Sequence, residues 1–178
     1  MSELLAIDPG SEQSGWVIID TRTRRPLHHG KDTNQKILAI IRSYANTPPE
    51  QRAGVWIEKI GRMAGTAGES IFETCVWTGR FMHEAERLGL LVERVKRVPI
   101  KVHLRVGQKG TDTDVRRALV DRFAPGEPRH GKGTKDEPGW FYGFAADAWQ
   151  AYALAVYASD TLEPPETAPP PDEHGQVA

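Results

Sequence analysis

The chain has 178 residues, of which 39% are hydrophobic, and it carries a formal net charge of −1 and one cysteine, Cys75. This length suits one ordinary domain, and a single cysteine excludes an intramolecular disulfide or a zinc site built from several thiolates. No apolar run reaches the roughly 20 residues of a membrane helix, and the first ten residues do not resemble a signal peptide. We therefore expect a soluble, intracellular protein in a reduced, cytosolic setting.

The first third of the chain predicts a β-hairpin, a third strand and a helix. The apolar run that ends at Asp8 is closed by Pro9 and Gly10, which favour a turn. Further along, Ile37, Ile41 and nearby apolar residues recur at helical spacing. The pattern predicts strands at residues 4–9, 15–20 and 27–31, then a helix over residues 33–45 that stops before two prolines.

The rest of the chain alternates strands and helices. The pattern predicts strands at residues 54–58 and 90–95, and helices at residues 69–88, 99–106, from Asp112 or Thr113 onward, and 143–158. Cys75 shares a predicted apolar face of the helix 69–88, so we expect it in the core. Residues 124–139 are rich in glycine, proline and charge, which predicts a loop.

Composition divides the chain into a domain and a tail. From residue 160 onward there are five prolines, five acidic residues and no Lys or Arg. Such a segment buries too little apolar surface to order itself. We therefore expect a domain over residues 1–159 and a disordered, acidic, proline-rich tail over residues 160–178.

Basic residues are concentrated in one stretch. Residues 94–135 contain twelve Lys and Arg against four acids, a local net charge of +8. This stretch is either a solvated face or a surface that follows a phosphate backbone.

Three acids stand where a solvated surface acid is unusual. Asp8 and Glu58 each end an apolar strand, and Asp147 lies within a largely apolar helix. Each acid taken alone has an ordinary structural explanation: Asp8 could cap a turn, Glu58 could stand at an exposed strand end, and Asp147 could form a salt bridge. Together they suit a site for a hard cation, because Mg²⁺ prefers carboxylate oxygens and completes its shell with water and phosphate.

Four segments in order resemble the RuvC-like Holliday-junction resolvases. LAIDPGSEQSGWVII (residues 5–19) resembles the family's opening hairpin, in which an Asp-Pro-Gly turn precedes a Gly-Trp or similar pair. VWIEKI, with Glu58, resembles the second acidic motif. VPIKVHLRVGQKGTDTDVRRAL resembles the proline-led helix, the turn and the next helix, and Asp147-Ala148 resembles the last acidic motif. The similarity covers Leu4 to about Tyr157, and GTKDEPGWFYGF is closer to the phage-encoded branch.

The resemblance implies a ribonuclease-H-like α/β fold: a mixed five-stranded sheet flanked by helices, with the acids converging at one edge. It also implies a homodimer, for which helix 69–88 is the expected interface, that resolves four-way junctions and other branched DNA by paired nicking. Asp8, Glu58 and Asp147 would be catalytic and would hold Mg²⁺ or Mn²⁺, two ions per site, that activate water and stabilise the leaving 3′ oxygen. The expected location is the cytoplasm of a bacterial or phage-infected cell.

Two further expectations concern ligands and DNA. Many cellular members carry an acid or histidine three residues before the final Asp, where this chain has Phe144; Asp136 and Glu137 are the alternatives for a fourth ligand. The resemblance places basic segments beside the site, so candidate phosphate contacts are Lys101, Arg105, Lys109, Arg116 and Arg117. Met63, in the loop after Glu58, is either a wedge against a base step or part of a plain connector.

The sequence also brings three other functions into consideration. One is a related nuclease that acts on flaps, forks or RNA, and another is a catalytically silent nucleic-acid-binding module of the same fold. Retention of Asp8, Glu58 and Asp147 argues against the second. A sugar-kinase-like phosphotransferase shares the opening Asp and glycines, but such proteins need a second repeat that 178 residues do not hold.

Overall fold

The computed structural model describes residues 2–61 and 68–162. Five strands form one sheet: β1 (Glu3–Asp8), β2 (Gln13–Asp20), β3 (Pro26–Thr33), β4 (Arg52–Lys59) and β5 (Val92–Lys96). The described residues also form six α-helices and a short 3-10 helix (Pro49–Gln51). The α-helices are α1 (Asn34–Tyr44), α2 (Glu69–Arg87), α3 (Arg97–His103), α4 (Asp112–Phe123), α5 (Pro128–Gly131) and α6 (Ala146–Leu162). The predicted α/β architecture with a mixed five-stranded sheet is confirmed.

The sheet has the strand order β3-β2-β1-β4-β5, which places β1 at its centre. β1, β2 and β3 pair antiparallel, whereas β4 runs parallel to β1 and β5 runs parallel to β4. Leu4, Leu5, Ala6 and Ile7 of β1 are all fully buried. A continuous apolar run is what a strand covered on both faces requires.

Successive residues of β1 contribute to two separate cores, one on each face of the sheet. Leu4 and Ala6 pack with α3, α4 and α6, and the large aromatic side chains Phe141, Phe144 and Tyr152 fill the same layer. Leu5 and Ile7 pack with α1 and α2 on the opposite face. The result is a three-layer arrangement whose central strand ends at Asp8.

Helix α4 begins differently from the sequence-based expectation. Thr111, rather than Asp112 or Thr113, is its N-cap, and the side chains of Thr111 and Asp114 each accept from the other residue's backbone N–H. This reciprocal capping box satisfies two backbone donors at the start of the helix. Asp112 is consequently in the first turn, with its carboxylate free to contact another side chain.

Helix α6 continues past residue 159, where the composition placed the start of the tail. α6 continues to Leu162, and Asp160 is only 7% exposed. Its carboxylate accepts from Arg24 (3.0 Å), Arg122 (2.6 and 3.0 Å) and His103 (2.7 Å). These partners compensate the buried charge, which composition alone does not reveal. Residues 163–178 lie outside the described residues.

Cys75 is exposed, and the expectation that it lies in the core is wrong. The buried residues of α2 are Thr78, Phe81, Glu84 and Ala85. Glu84 can face inward because Arg42 of α1 and Arg87 both donate to its carboxylate. The prediction treated only apolar residues of α2 as buried and therefore left out Glu84. The predicted buried face of the helix was consequently rotated from the observed one. Across residues 2–61 and 68–162, no helix is long and apolar enough to cross a bilayer.

Candidate active site

Asp8 and Glu58 lie at the carboxyl ends of neighbouring parallel strands. Ile7 of β1 is in register with Ile57 of β4, so the next residues, Asp8 and Glu58, reach the same edge of the sheet. Each acid lies two residues after a core residue that faces α6, Ala6 in β1 and Trp56 in β4. Residues two apart in a strand point to the same face of the sheet. The fold therefore directs the two carboxylates to one edge and one face.

Asp147 enters from the first turn of α6, which packs across β1 and β2. The close approach depends on Gly15 of β2. A Cβ at Gly15 would overlap the carbonyl oxygen of Asp147 and would lie 2.8 Å from its carbonyl carbon and 3.0 Å from its Cβ. Because Gly15 has no side chain, the first turn of α6, with Asp147, can lie directly over the hairpin that carries Asp8.

The turn after Asp8 is held by a buried polar network. Ser14 Oγ donates to Asn34 Oδ1 (2.6 Å), and Asn34 Nδ2 donates to the carbonyl oxygen of Gly10 (3.0 Å). The backbone N–H of Gly10 donates back to Ser14 Oγ (3.2 Å). Because Ser14 and Asn34 are both buried, this network restricts the backbone of the turn that directly follows Asp8.

Three clefts meet at Asp8. One of about 370 Å³ also contains Asp147 and Lys31. A second, of about 880 Å³, contains Glu58, Arg97 and Lys101, and a third, of about 520 Å³, contains Asp147, Arg97, Arg116 and Lys132. Acidic and basic side chains therefore line the same continuous edge of the molecule.

The carboxylates repel one another. Burial, and then the charge of Glu58, raise the pKa of Asp8 to about 8, with smaller effects of Asp147 and Asp112; Arg97 opposes the rise. Burial also raises the pKa of Glu58, and Arg97 opposes that rise as well. Two acids that bind protons so readily form a site where added positive charge is favourable.

Basic side chains of the chain already contact these acids. Lys31 forms an ion pair with Asp147, and Arg97 lies 3.8 Å from Glu58 Oε1 and 2.8 Å from Asp112 Oδ1. In this arrangement the described residues contain no group of three His, Cys, Asp or Glu side chains positioned to hold one ion. The donor atoms are all carboxylate oxygens, which fits a hard divalent cation.

The structure separates the predicted phosphate contacts into two groups. Lys101 and Arg116 line the clefts at Asp8, and the Arg116 guanidinium lies 5.0 Å from the centre of the Trp149 ring. Arg105, Lys109 and Arg117 are exposed and line none of these three clefts. Met63 lies outside the described residues.

The structure brings neither sequence-based candidate for a fourth acid, Asp136 or Glu137, to the clefts at Asp8. Phe144 is buried, with its ring 4.4 Å from that of His29, and serves the core. Asp136 and Glu137 are exposed and line none of the three clefts. Asp112 instead lines a cleft with Asp8 and Asp147.

Sequence reasoning did not single out Lys31, Arg97, Lys132 or Asp112 as site residues. Lys31 reaches Asp147 because β3 pairs with β2 in a register that sets Lys31 opposite Gly15. Lys132 donates to the carbonyl oxygen of Phe144 (2.7 Å) and so ties the loop after α4 to the approach to α6. The only available signal was that Asp112 falls within a segment of the RuvC-like resemblance and that Arg97 directly precedes that segment.

Comparison with known proteins bears on the fold. No protein-family model matches the chain, and no curated protein matches it significantly in sequence. A Thermus thermophilus RuvC structure is similar, with a TM-score of 0.65, 15% identity and coverage of 90% of this chain and 95% of that one. A second, T. thermophilus RuvC in complex with Holliday junction substrate, gives a TM-score of 0.61, 16% identity and coverage of 91% and 96%. The chain therefore has the RuvC-like, ribonuclease-H-like fold.

Proposed function

We propose that this protein is a metal-dependent endonuclease that resolves four-way DNA junctions by paired nicks. The observation that carries the proposal is the position of Asp8, where three clefts meet with Glu58 and Asp147 beside it and basic residues around it. The fold supports the assignment, because one of the similar RuvC structures is described as a complex with Holliday junction substrate.

In this proposal Asp8, Glu58 and Asp147 hold the cations, and Asp112 is the acid best placed to add a fourth carboxylate. Divalent cations held there, two per site, would lower the pKa of an attacking water and stabilise the leaving 3′ oxygen. Mg²⁺ and Mn²⁺ both suit oxygen ligands.

The remaining side chains position the substrate and the acids. Lys101 and Arg116 line the clefts, where they would contact phosphates without reading bases. Stacking on Trp149 restricts the Arg116 guanidinium, so less conformational freedom is lost when a phosphate binds. Burial raises the pKa of Glu58, and the positive charge of Arg97 opposes that rise. No covalent nucleophile is required.

The direct experiment compares substrates. Synthetic four-way, three-way, flap and linear DNA, and an RNA four-way junction, are incubated with the protein and Mg²⁺ or Mn²⁺. We expect two symmetric nicks in the four-way DNA junction and slow or no cleavage of linear DNA. Faster cutting of flaps or RNA would assign the protein to another branch of this fold. Binding without cutting of any substrate would identify a silent binding module.

Paired nicking also requires two active sites, and we propose a two-fold dimer through α2. Its outward face exposes Phe72 (62%) and Val76 (53%), which lie one helical turn apart. Large exposed apolar side chains grouped in this way are typical of interaction surfaces. A two-fold dimer matches the symmetry of a four-way junction.

A further inference from the structure

Lys31 and Asp147 form an ion pair inside the cleft that also contains Asp8. Lys31 belongs to β3 and lies opposite Gly15, the residue that lets Asp147 approach the sheet. The pair connects the edge strand to the first turn of α6. It stays accessible, because the Lys31 and Asp147 side chains are 45% and 34% exposed.

The ammonium group of Lys31 and a divalent cation would compete for the same carboxylate. An exposed ion pair between a lysine and a carboxylate contributes little stability. A cation held by several acids can therefore displace the ammonium group of Lys31 from Asp147. The flexible four-carbon stem of Lys31 then keeps the released charge within the cleft. A phosphate of a bound strand is the chemical group that such a charge would next contact.

We propose that Lys31 is a positioning residue that exchanges partners: it holds Asp147 before the cation binds, and contacts a substrate phosphate once the cation has taken that carboxylate. This inference rests on the proposed function. It has two consequences. Lys31 lowers the affinity of the site for the cation, and its contribution to DNA affinity appears only when the cation is bound, so that cation and DNA binding are thermodynamically linked.

The first test measures Mg²⁺ and Mn²⁺ affinity by calorimetry without DNA. Lys31→Gln should bind the cation about three- to tenfold more tightly than the wild type, as expected for removal of one exposed competing pair. Lys59→Gln is the matched control, since Lys59 lines the neighbouring cleft with Glu58 and its loss reports the general effect of removing a positive charge. Equal tightening in both variants, or none in Lys31→Gln, would overturn the exchange.

The second test measures the affinity for a four-way junction by fluorescence anisotropy, in EDTA and in Ca²⁺. Ca²⁺ also takes oxygen ligands and serves as the probe for the occupied site. Lys31→Gln should match the wild type in EDTA and bind several-fold more weakly in Ca²⁺, whereas Lys31→Arg should recover much of the loss. An equal loss in both conditions would mean that Lys31 is a permanent phosphate contact, which contradicts the exchange.

The outcomes separate this inference from the proposed function. Tight cation binding by the wild type with an unchanged affinity in Lys31→Gln overturns only the exchange. No cation binding by the wild type or any variant, measured on protein whose cooperative thermal unfolding shows that it is folded, overturns both. Normal unfolding of Lys31→Gln establishes that its altered affinities do not come from misfolding.

Discussion

At the scale of single residues, Asp8 combines burial with repulsion from Glu58, which raises its pKa to about 8. The folded protein therefore holds a proton on Asp8 at pH values where the unfolded chain has released it. This contribution to stability is complete below the unfolded pKa of 3.8 and is lost as the pH rises toward 8. The stabilisation that protonated Asp8 contributes is thus smallest in the pH range where its carboxylate is most available to a cation.

Asp8→Asn should remove this pH dependence, because a neutral amide neither binds the proton nor repels Glu58. In EDTA, we expect its melting temperature to exceed that of the wild type at about pH 8.5 and the difference to shrink toward about pH 5. Circular dichroism melts over this range provide the measurement, and Asp136→Asn, an exposed acid outside the clefts, is the control. A constant difference across the range would contradict the raised pKa.

At the scale of elements, the junction between β2 and α6 determines where Asp147 stands. Gly15→Ala would force α6 away from the sheet, because the added methyl overlaps the Asp147 backbone. We expect a loss of about 1–3 kcal/mol in the free energy of unfolding, together with slower cleavage. Gly79→Ala in α2 is the matched control, since its added methyl meets nothing within 4 Å and should raise helix stability slightly. Chemical denaturation in which both variants behave alike would refute the packing argument.

The far end of α6 is attached through Asp160. Burial raises the pKa of this carboxyl, but hydrogen bonds from Arg122 and His103 outweigh that effect and lower it. The ionised Asp160 carboxylate therefore stabilises the folded protein above its unfolded pKa of 3.8. This stabilisation is lost as the pH falls through the lower pKa that Asp160 has in the folded protein.

We expect Asp160→Asn to cost about 2–4 kcal/mol near neutral pH, because three basic partners lose their counter-charge. Truncation before Asp160 should cost at least as much, whereas truncation after Leu162 should leave the melting temperature unchanged. Asp121→Asn, on the exposed side of α4, is the control substitution. Equal stability of the two truncated proteins would show that the Asp160 contacts contribute nothing.

The order of the elements, and the strand ends at which Asp8 and Glu58 stand, could be predicted because their signals are local. Asp8 and Glu58 each end a short apolar run, and the alternation of strands and helices is visible in the residues themselves. Lys31 could not be predicted, because its contact with Asp147 depends on cross-strand register and on the absence of a side chain at Gly15. Asp160 was assigned to the tail by composition, since the cations that compensate it come from three distant segments.

At the scale of the whole molecule, assembly through α2 is the first expectation. Val76→Glu should place a charge in the centre of the proposed interface and convert a dimer into a monomer of 19.8 kDa, the mass of one chain. Light scattering coupled to gel filtration provides the measurement. Glu73→Gln, on the same exposed helix, is the control. A wild-type protein that is monomeric at micromolar concentration, with and without a junction, would contradict the dimer.

The central claim is that the acids at the meeting point of the clefts perform catalysis while the basic residues hold DNA. The most direct test measures single-turnover cleavage and junction binding by Asp147→Asn in Mg²⁺. We predict that cleavage falls by roughly a thousandfold or more while the junction is bound as tightly as by the wild type, or more tightly, since a negative charge facing phosphate is removed. Asp136→Asn should cut normally. Cleavage by Asp147→Asn at nearly the wild-type rate would contradict the account.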